Sequence, residues 1–206
     1  SIDTAKIYGN ERGVGRAIGS GDMNLVCELY LDLSQALLRA GDGSGANREL
    51  VECIDLATLG EGFTAIDGPQ AFWRVLRAQA QMVDAAGDSY RALRLAEAAL
   101  FHAQRVRSRL GAARVQQLLA TLCEKAGLGN KAERYRQAAI NEMRSLGDRR
   151  ATAELLLTDT PARGAVVVPG RLQDAMALTK EIGWSEGHER AKRKSNPPPN
   201  VDVDKT

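Results

Sequence analysis

Val83-Asp84-Ala85-Ala86-Gly87-Asp88-Ser89-Tyr90-Arg91-Ala92-Leu93-Arg94-Leu95-Ala96-Glu97-Ala98-Ala99 is a helix end, a turn and a new helix. Gly87-Asp88 turns the chain, because glycine ends a helix readily and aspartate caps the next one. Ala92, Ala96, Ala99, Ala103 and Val106 then recur at three- and four-residue steps and share one face. Two other turns have the same dress. Aligned on Gly41, Gly87 and Gly127, the preceding residues are Ala40, Ala86 and Ala126. Five residues beyond each glycine stand Ala46, Ala92 and Ala132, and seven further on Cys53, Ala99 and Ala139. Four residues before it stand Leu37, Val83 and Cys123. Spacings of 46 and 40 residues make this an internal repeat. Small residues at a fixed position let two helices approach closely. A single hairpin cannot bury its own face, so neighbouring hairpins stack.

The surrounding sequence agrees. Ala and Leu supply more than a quarter of the 206 residues, and both lose little freedom in a helix. Proline occurs only at 69, 161, 169 and 197–199. Asp22 is placed to cap a helix reaching about Ala40, with Leu25, Leu29, Leu33, Ala36, Leu37 and Ala40 on its inner face. Ala46, Leu50, Cys53, Ile54 and Ala57 form the next apolar stripe. The helix after Pro69 places Phe72, Val75, Leu76, Val83 and Ala86 inward. Helices over 112–126 and 131–146 follow. Gly21-Asp22 and Gly147-Asp148 open first helices in the same way, each followed at equal offset by Glu-Leu.

Over about residues 20–158 the chain resembles a tetratricopeptide-repeat (TPR) array, on the small-residue pairs Ala46/Cys53, Ala92/Ala99 and Ala132/Ala139. It departs from that family in period, which there is about 34 residues. Leu50, Ala96 and Arg136 stand where the family has a large aromatic. The repeats, with runs such as Gly147-Asp148-Arg149-Arg150-Ala151-Thr152-Ala153-Glu154-Leu155, are similar to regions C-terminal to bacterial serine/threonine kinases and to regions of signalling ATPases. The resemblance implies a right-handed all-α solenoid of antiparallel hairpins. It also implies a non-catalytic protein-binding scaffold, the regulatory repeat region of a bacterial signalling protein. The expected divisions are a leading half-repeat helix at 1–20, the TPR-like array at 21–158, a C-terminal cap at 159–184 and a disordered tail at 185–206. In the cap, Val166-Val167-Val168 reads as extended. Residues 171–182 read as an amphipathic helix with Leu172, Ala175, Met176, Leu178 and Ile182 inward, docked by Trp184.

A second resemblance lies at the start. Ile2-Asp3-Thr4-Ala5, Tyr8-Gly9-Asn10-Glu11 and Gly13-Val14-Gly15-Arg16-Ala17-Ile18 are similar to an aldo-keto reductase signature. By that resemblance Asp3 and Tyr8 would join a Lys and a His in a tetrad serving an NADPH-dependent reduction. The alternative reading is therefore a fragment or fusion of such a reductase, catalytically incomplete. No Lys lies between Lys6 and Lys125, and the first His is His102. A barrel of that kind also takes about 250 residues.

No catalytic residue, cofactor site or metal site is expected. Gly9-Asn10-Glu11-Arg12-Gly13-Val14-Gly15 is no phosphate loop, since no Lys-Ser/Thr follows. His102 and His188 lack neighbouring ligands. Cys27, Cys53 and Cys123 read as small buried thiols with no close pair. The net charge of +2 gives no broad basic footprint, so nucleic acid is not an expected partner, and Arg190-Ala191-Lys192-Arg193-Lys194 reads as a solvated tail. No apolar run is long enough to span a bilayer, no leader opens these residues, and the expected location is cytoplasmic. The expected partner is a protein or peptide held in a concave groove lined by the first helix of each hairpin. Arg74, Arg77, Gln81, Gln116 and Gln117 are the candidate contacts. Oligomeric state has no signature in the sequence.

Overall fold

The computed structural model describes residues 13–59, 70–158 and 169–195, and these form ten helices and no strand. The first, α1, occupies 13–20 of the described chain. It is followed by α2 (Met23–Arg39), α3 (Gly43–Leu59), α4 (Phe72–Ala85), α5 (Ser89–Arg105) and α6 (Arg109–Lys125). Then come α7 (Gly129–Ser145), α8 (Arg149–Thr158), α9 (Pro169–Glu181) and α10 (Ser185–Ser195). The chain forms two compact units that divide between Tyr135 and Arg136, within α7. Sequential helices pack as antiparallel pairs: α2 on α3, α4 on α5 and α5 on α6 in the first unit, α8 on α9 and α9 on α10 in the second. Among the described residues no helix is long and apolar enough to cross a membrane.

The turns that punctuate the sequence share one mechanism. At Gly87 the backbone reaches φ 92°, which a residue with a Cβ adopts only at a cost. This lets the Gly87 N–H donate to Asp84 O at 3.0 Å and the Asp88 N–H donate to Val83 O at 3.1 Å, satisfying carbonyls that the helix end would strand. The Asp88 carboxylate then accepts from the Arg91 N–H at 3.0 Å and starts α5. Asp22, Asp42 and Asp148 cap their helices in the same way. Between α5 and α6 the left-handed position is held by Arg107 (φ 54°), with Ser108 as the cap. The repeated alanines before the glycines, Ala40, Ala86 and Ala126, are thus helix C-caps, and none of them is buried. The inward placement expected of Ala86 is corrected on this ground: it ends the helix instead of packing its face.

The alanines after the turns do pack. Ala92, Ala96, Ala99 and Ala103 on α5 are all 0 % exposed, as are Ala46, Leu50 and Cys53 on α3. One core runs through α1 to α6, with Val26, Cys27, Phe72, Val75, Val115, Leu119 and Leu122 at its centre. His102 also belongs to this region, its ring edge-on to Phe72 with centroids 4.9 Å apart. Burial, with Arg105 nearby, holds its imidazole below the usual range.

Two expectations are corrected here. On α2 the buried residues are Val26, Cys27, Tyr30, Leu31, Leu33 and Ser34, whereas Leu25 is exposed. The helix packs against both α3 and α4, so its buried arc is wider and rotated from the stripe read in sequence. Residues 185–195, expected within a disordered tail, form α10. Gly187 there lies so close to the Trp184 ring that a Cβ would stand 2.3 Å from Cε3, and Ala191 is fully buried. Two small residues one turn apart let a polar helix dock where its composition gave no apolar stripe. Asp3, Tyr8, Pro69, Val166–Val168 and residues 196–206 lie outside the described residues.

Ala92→Leu and Ala99→Leu should each cost about 1–3 kcal/mol by overpacking a helix crossing. Urea unfolding measures this, and curves unchanged in both variants would contradict the packing described. The depressed His102 makes the neutral imidazole the folded form. Stability should therefore be full above about pH 6.5 and decline as pH falls below it. His102→Gln should flatten that part of a stability-against-pH curve, and an identical slope in the variant would contradict the assignment.

Candidate functional site

The even-numbered helices of the first unit form the surface of interest. α2 packs on α4 and α4 on α6, in addition to the pairings of α2 with α3, α4 with α3 and α5, and α6 with α5. Named contacts hold this row in register. The Asn24 side-chain oxygen accepts from the Ala71 N–H at 3.3 Å, and Glu28 pairs with Arg74. Lys125 Nζ lies 2.6 Å from Asp84 Oδ2. Gly111 of α6 sits against the Trp73 ring of α4, where a Cβ would come within 2.8 Å of Cε2. The close approach of α4 and α6 thus depends on a residue without a side chain.

Arg74, Arg77 and Gln81 lie on α4, and Gln116 and Gln117 on α6. Arg74 is exposed, with its charge met by Glu28. Gln81 is exposed, and Gln117 is half-buried. Gln116 lies toward the packed side of α6. Ala113, Leu119 and Ala120 surround its position, and its Oε1 is buried without a hydrogen-bond partner. Arg77 is half-buried, and its Nε is shut off from solvent with no acceptor. Burial pulls its guanidinium below the ordinary arginine range, and the charges of Arg114 and Arg74 add to this. Neither Arg77 nor Arg114 has a carboxylate partner among the described residues. A cation that has lost part of its water without gaining an anion is costly to the free protein. It is also ready to receive an anion.

Arg114 and Glu28 belong to this surface although neither was among the candidate contacts. The signal was in the repeat register: Glu28, Arg74 and Arg114 each stand 13 residues before a turn glycine (Gly41, Gly87, Gly127). Gln35, Gln81 and Thr121 form a second such row, six residues before the same glycines.

The buried thiols and the polar contacts around Trp184 serve the packing. All three cysteines are buried and free. Cys27 and Cys53, far apart in sequence, bring their sulfurs to 3.9 Å where α2 meets α3. The hydrogen bond to Cys27 and burial push the Cys53 thiol well up, so it stays protonated. In the second unit the His188 Nδ1 lies 3.2 Å from both Thr179 Oγ1 and the Met176 carbonyl. Arg150 stacks over Trp184 at 4.1 Å from the ring centroid. Among the described residues no group of three or more His, Cys, Asp or Glu side chains could hold a metal.

No family model matches the sequence, and none of the curated proteins compared with it matches either. Among solved structures, the crystal structure of BtubC (BKLC) from P. vanneervenii is similar to this chain. Its TM-score is 0.61 at 16 % identity, covering 98 % of this chain and 96 % of that one. The fold is therefore TPR-like: all-α, built from sequential antiparallel helix pairs.

If Arg77 is kept for a ligand and not for the fold, Arg77→Met should unfold at a higher temperature than the parent chain. A rise of about 2–4 °C, the effect of about 1 kcal/mol at this chain length, is expected by thermal melting. A drop in melting temperature would show that the guanidinium supports the fold.

Proposed function

We propose that the chain is a non-catalytic protein-interaction scaffold. The face of α2, α4 and α6 holds an extended segment of a partner protein. The observation that carries this reading is the pair Arg77 and Arg114, two neighbouring cations on α4 and α6 with no acidic partner among the described residues. A segment bearing Asp or Glu supplies the missing charge, and Gln81 and Gln117 lie beside it to meet backbone groups. Charge-assisted hydrogen bonds to a guanidinium are strong and directional, so a few of them select an acidic segment. The TPR-like fold supports the reading, because stacked helix pairs expose a long shared face. The comparisons lend no support to an association with a serine/threonine kinase. The reductase alternative rests on Asp3 and Tyr8, which lie outside the described residues.

Selection of random peptides on the full chain, followed by fluorescence anisotropy of the selected peptides, tests this. Peptides rich in Asp and Glu should emerge and should weaken at least about tenfold against Arg77→Met/Arg114→Met. Failure to converge, or peptides indifferent to both substitutions, would overturn the reading.

A further inference from the structure

The opposite side of the first unit carries a different kind of surface. The buried stripe of α5 is Ala92, Ala96, Ala99 and Ala103, which packs toward α4 and α6. Directly away from it stand Tyr90, 77 % exposed, and Phe101, 53 % exposed. They are 11 residues apart, three helical turns, and so share one line along the helix. Every other aromatic side chain among the described residues is buried or half-buried: Tyr30, Phe72, Trp73, Tyr135 and Trp184. Each exposed ring is followed four residues later by an exposed arginine, Arg94 after Tyr90 and Arg105 after Phe101. The Arg105 guanidinium carbon lies 5.4 Å from the Phe101 ring centroid. Exposed aromatics interleaved with arginines have the composition of interface hot spots, not of ordinary solvated surface.

The exposed charge around this line is mostly positive. Arg91, Arg94, Arg105, Lys131 and Arg134 are exposed on α5 and the first turns of α7. The one carboxylate on α5, Glu97, is taken up by Lys131 at 2.9 Å and by Arg94 at 3.5 Å. An occupant must therefore be acidic. The ring spacing decides its class. Three turns of helix separate the rings by about 16 Å, far beyond the stacking distance of neighbouring bases, and the chain as a whole carries only +2. An α-helix laid along α5 presents side chains at the same period and can place apolar residues on both rings with carboxylates between them.

We propose that the outer face of α5 is a second docking surface, one that takes an acidic amphipathic helix of a partner protein. Tyr90 and Phe101 anchor its apolar residues, and Arg94 and Arg105 pair with its carboxylates. The inference is independent of the α2–α4–α6 face, and the two together make the chain a two-sided adaptor. NMR on the uniformly 15N-labelled full chain tests it. The probe is a synthetic helix-forming peptide of Glu, Ala and Leu with its leucines on one face. Shifts should appear in residues 90–105 and 131–134. Affinity should fall at least about tenfold in Tyr90→Ser/Phe101→Ser, exposed positions whose replacement leaves the helical circular dichroism intact. Arg77→Met/Arg114→Met should leave this binding unchanged. Shifts confined to α4 and α6 would uphold the first surface and overturn this one. So would α5 shifts that survive loss of both rings, or no shifts at all. Labelled single-stranded DNA binding more tightly than the peptide, and losing that binding with the rings, would overturn the acidic-helix occupant.

Discussion

The first unit depends on how closely α5 can approach its neighbours. Four alanines with no exposed surface, Ala92, Ala96, Ala99 and Ala103, form the side of α5 that meets α4 and α6. Because that side carries no bulk, one helix serves as the common partner of two. The two are then drawn together, and Gly111 against Trp73 completes their approach. Large residues elsewhere, such as Phe72, Leu119 and Leu122, fill the volume the alanines leave. The unit is thus built from a spare helix between two bulky ones, and the register of its functional surfaces follows from that arrangement.

Both proposed surfaces are by-products of it. On the α4–α6 side, close approach brings Arg77 and Arg114 near each other, and burial removes water from one of them. On the outer side, the alanine stripe leaves the other side of α5 free to carry Tyr90, Arg94, Phe101 and Arg105, all of them exposed. A short repeat array gains two faces at once, because each helix has an inner side that stacks and an outer side that does not.

Most of the fold was legible because its punctuation is chemical. Glycine at a left-handed position followed by an aspartate cap marks Gly21, Gly41, Gly87 and Gly147, and the small residues at fixed offsets mark α3, α5 and α7. What escaped followed from causes that no single helix displays. The turn at Arg107 has no glycine, yet its hydrogen bonds are those of the others. The face of α2 is rotated because two helices, not one, cover it. α10 docks through Gly187 and Ala191, which contribute no apolar signal to a polar sequence. At the candidate surface, sequence placed Arg74, Arg77 and Gln81 on α4, but Gln116 turned toward the packed side. Arg114 was hidden until its repeat position was matched to those of Glu28 and Arg74.

Among the described residues Arg77 is a partly desolvated cation with no carboxylate partner, ready to receive one. The most direct measurement is the Nε–Hε NMR signal of Arg77 in the free chain while glutarate is added. A saturable shift of that signal is expected, larger than that of Arg48, whose side chain is 74 % exposed and already near Glu49. An Arg77 signal that stays in place, or drifts only as the Arg48 signal does, would contradict it.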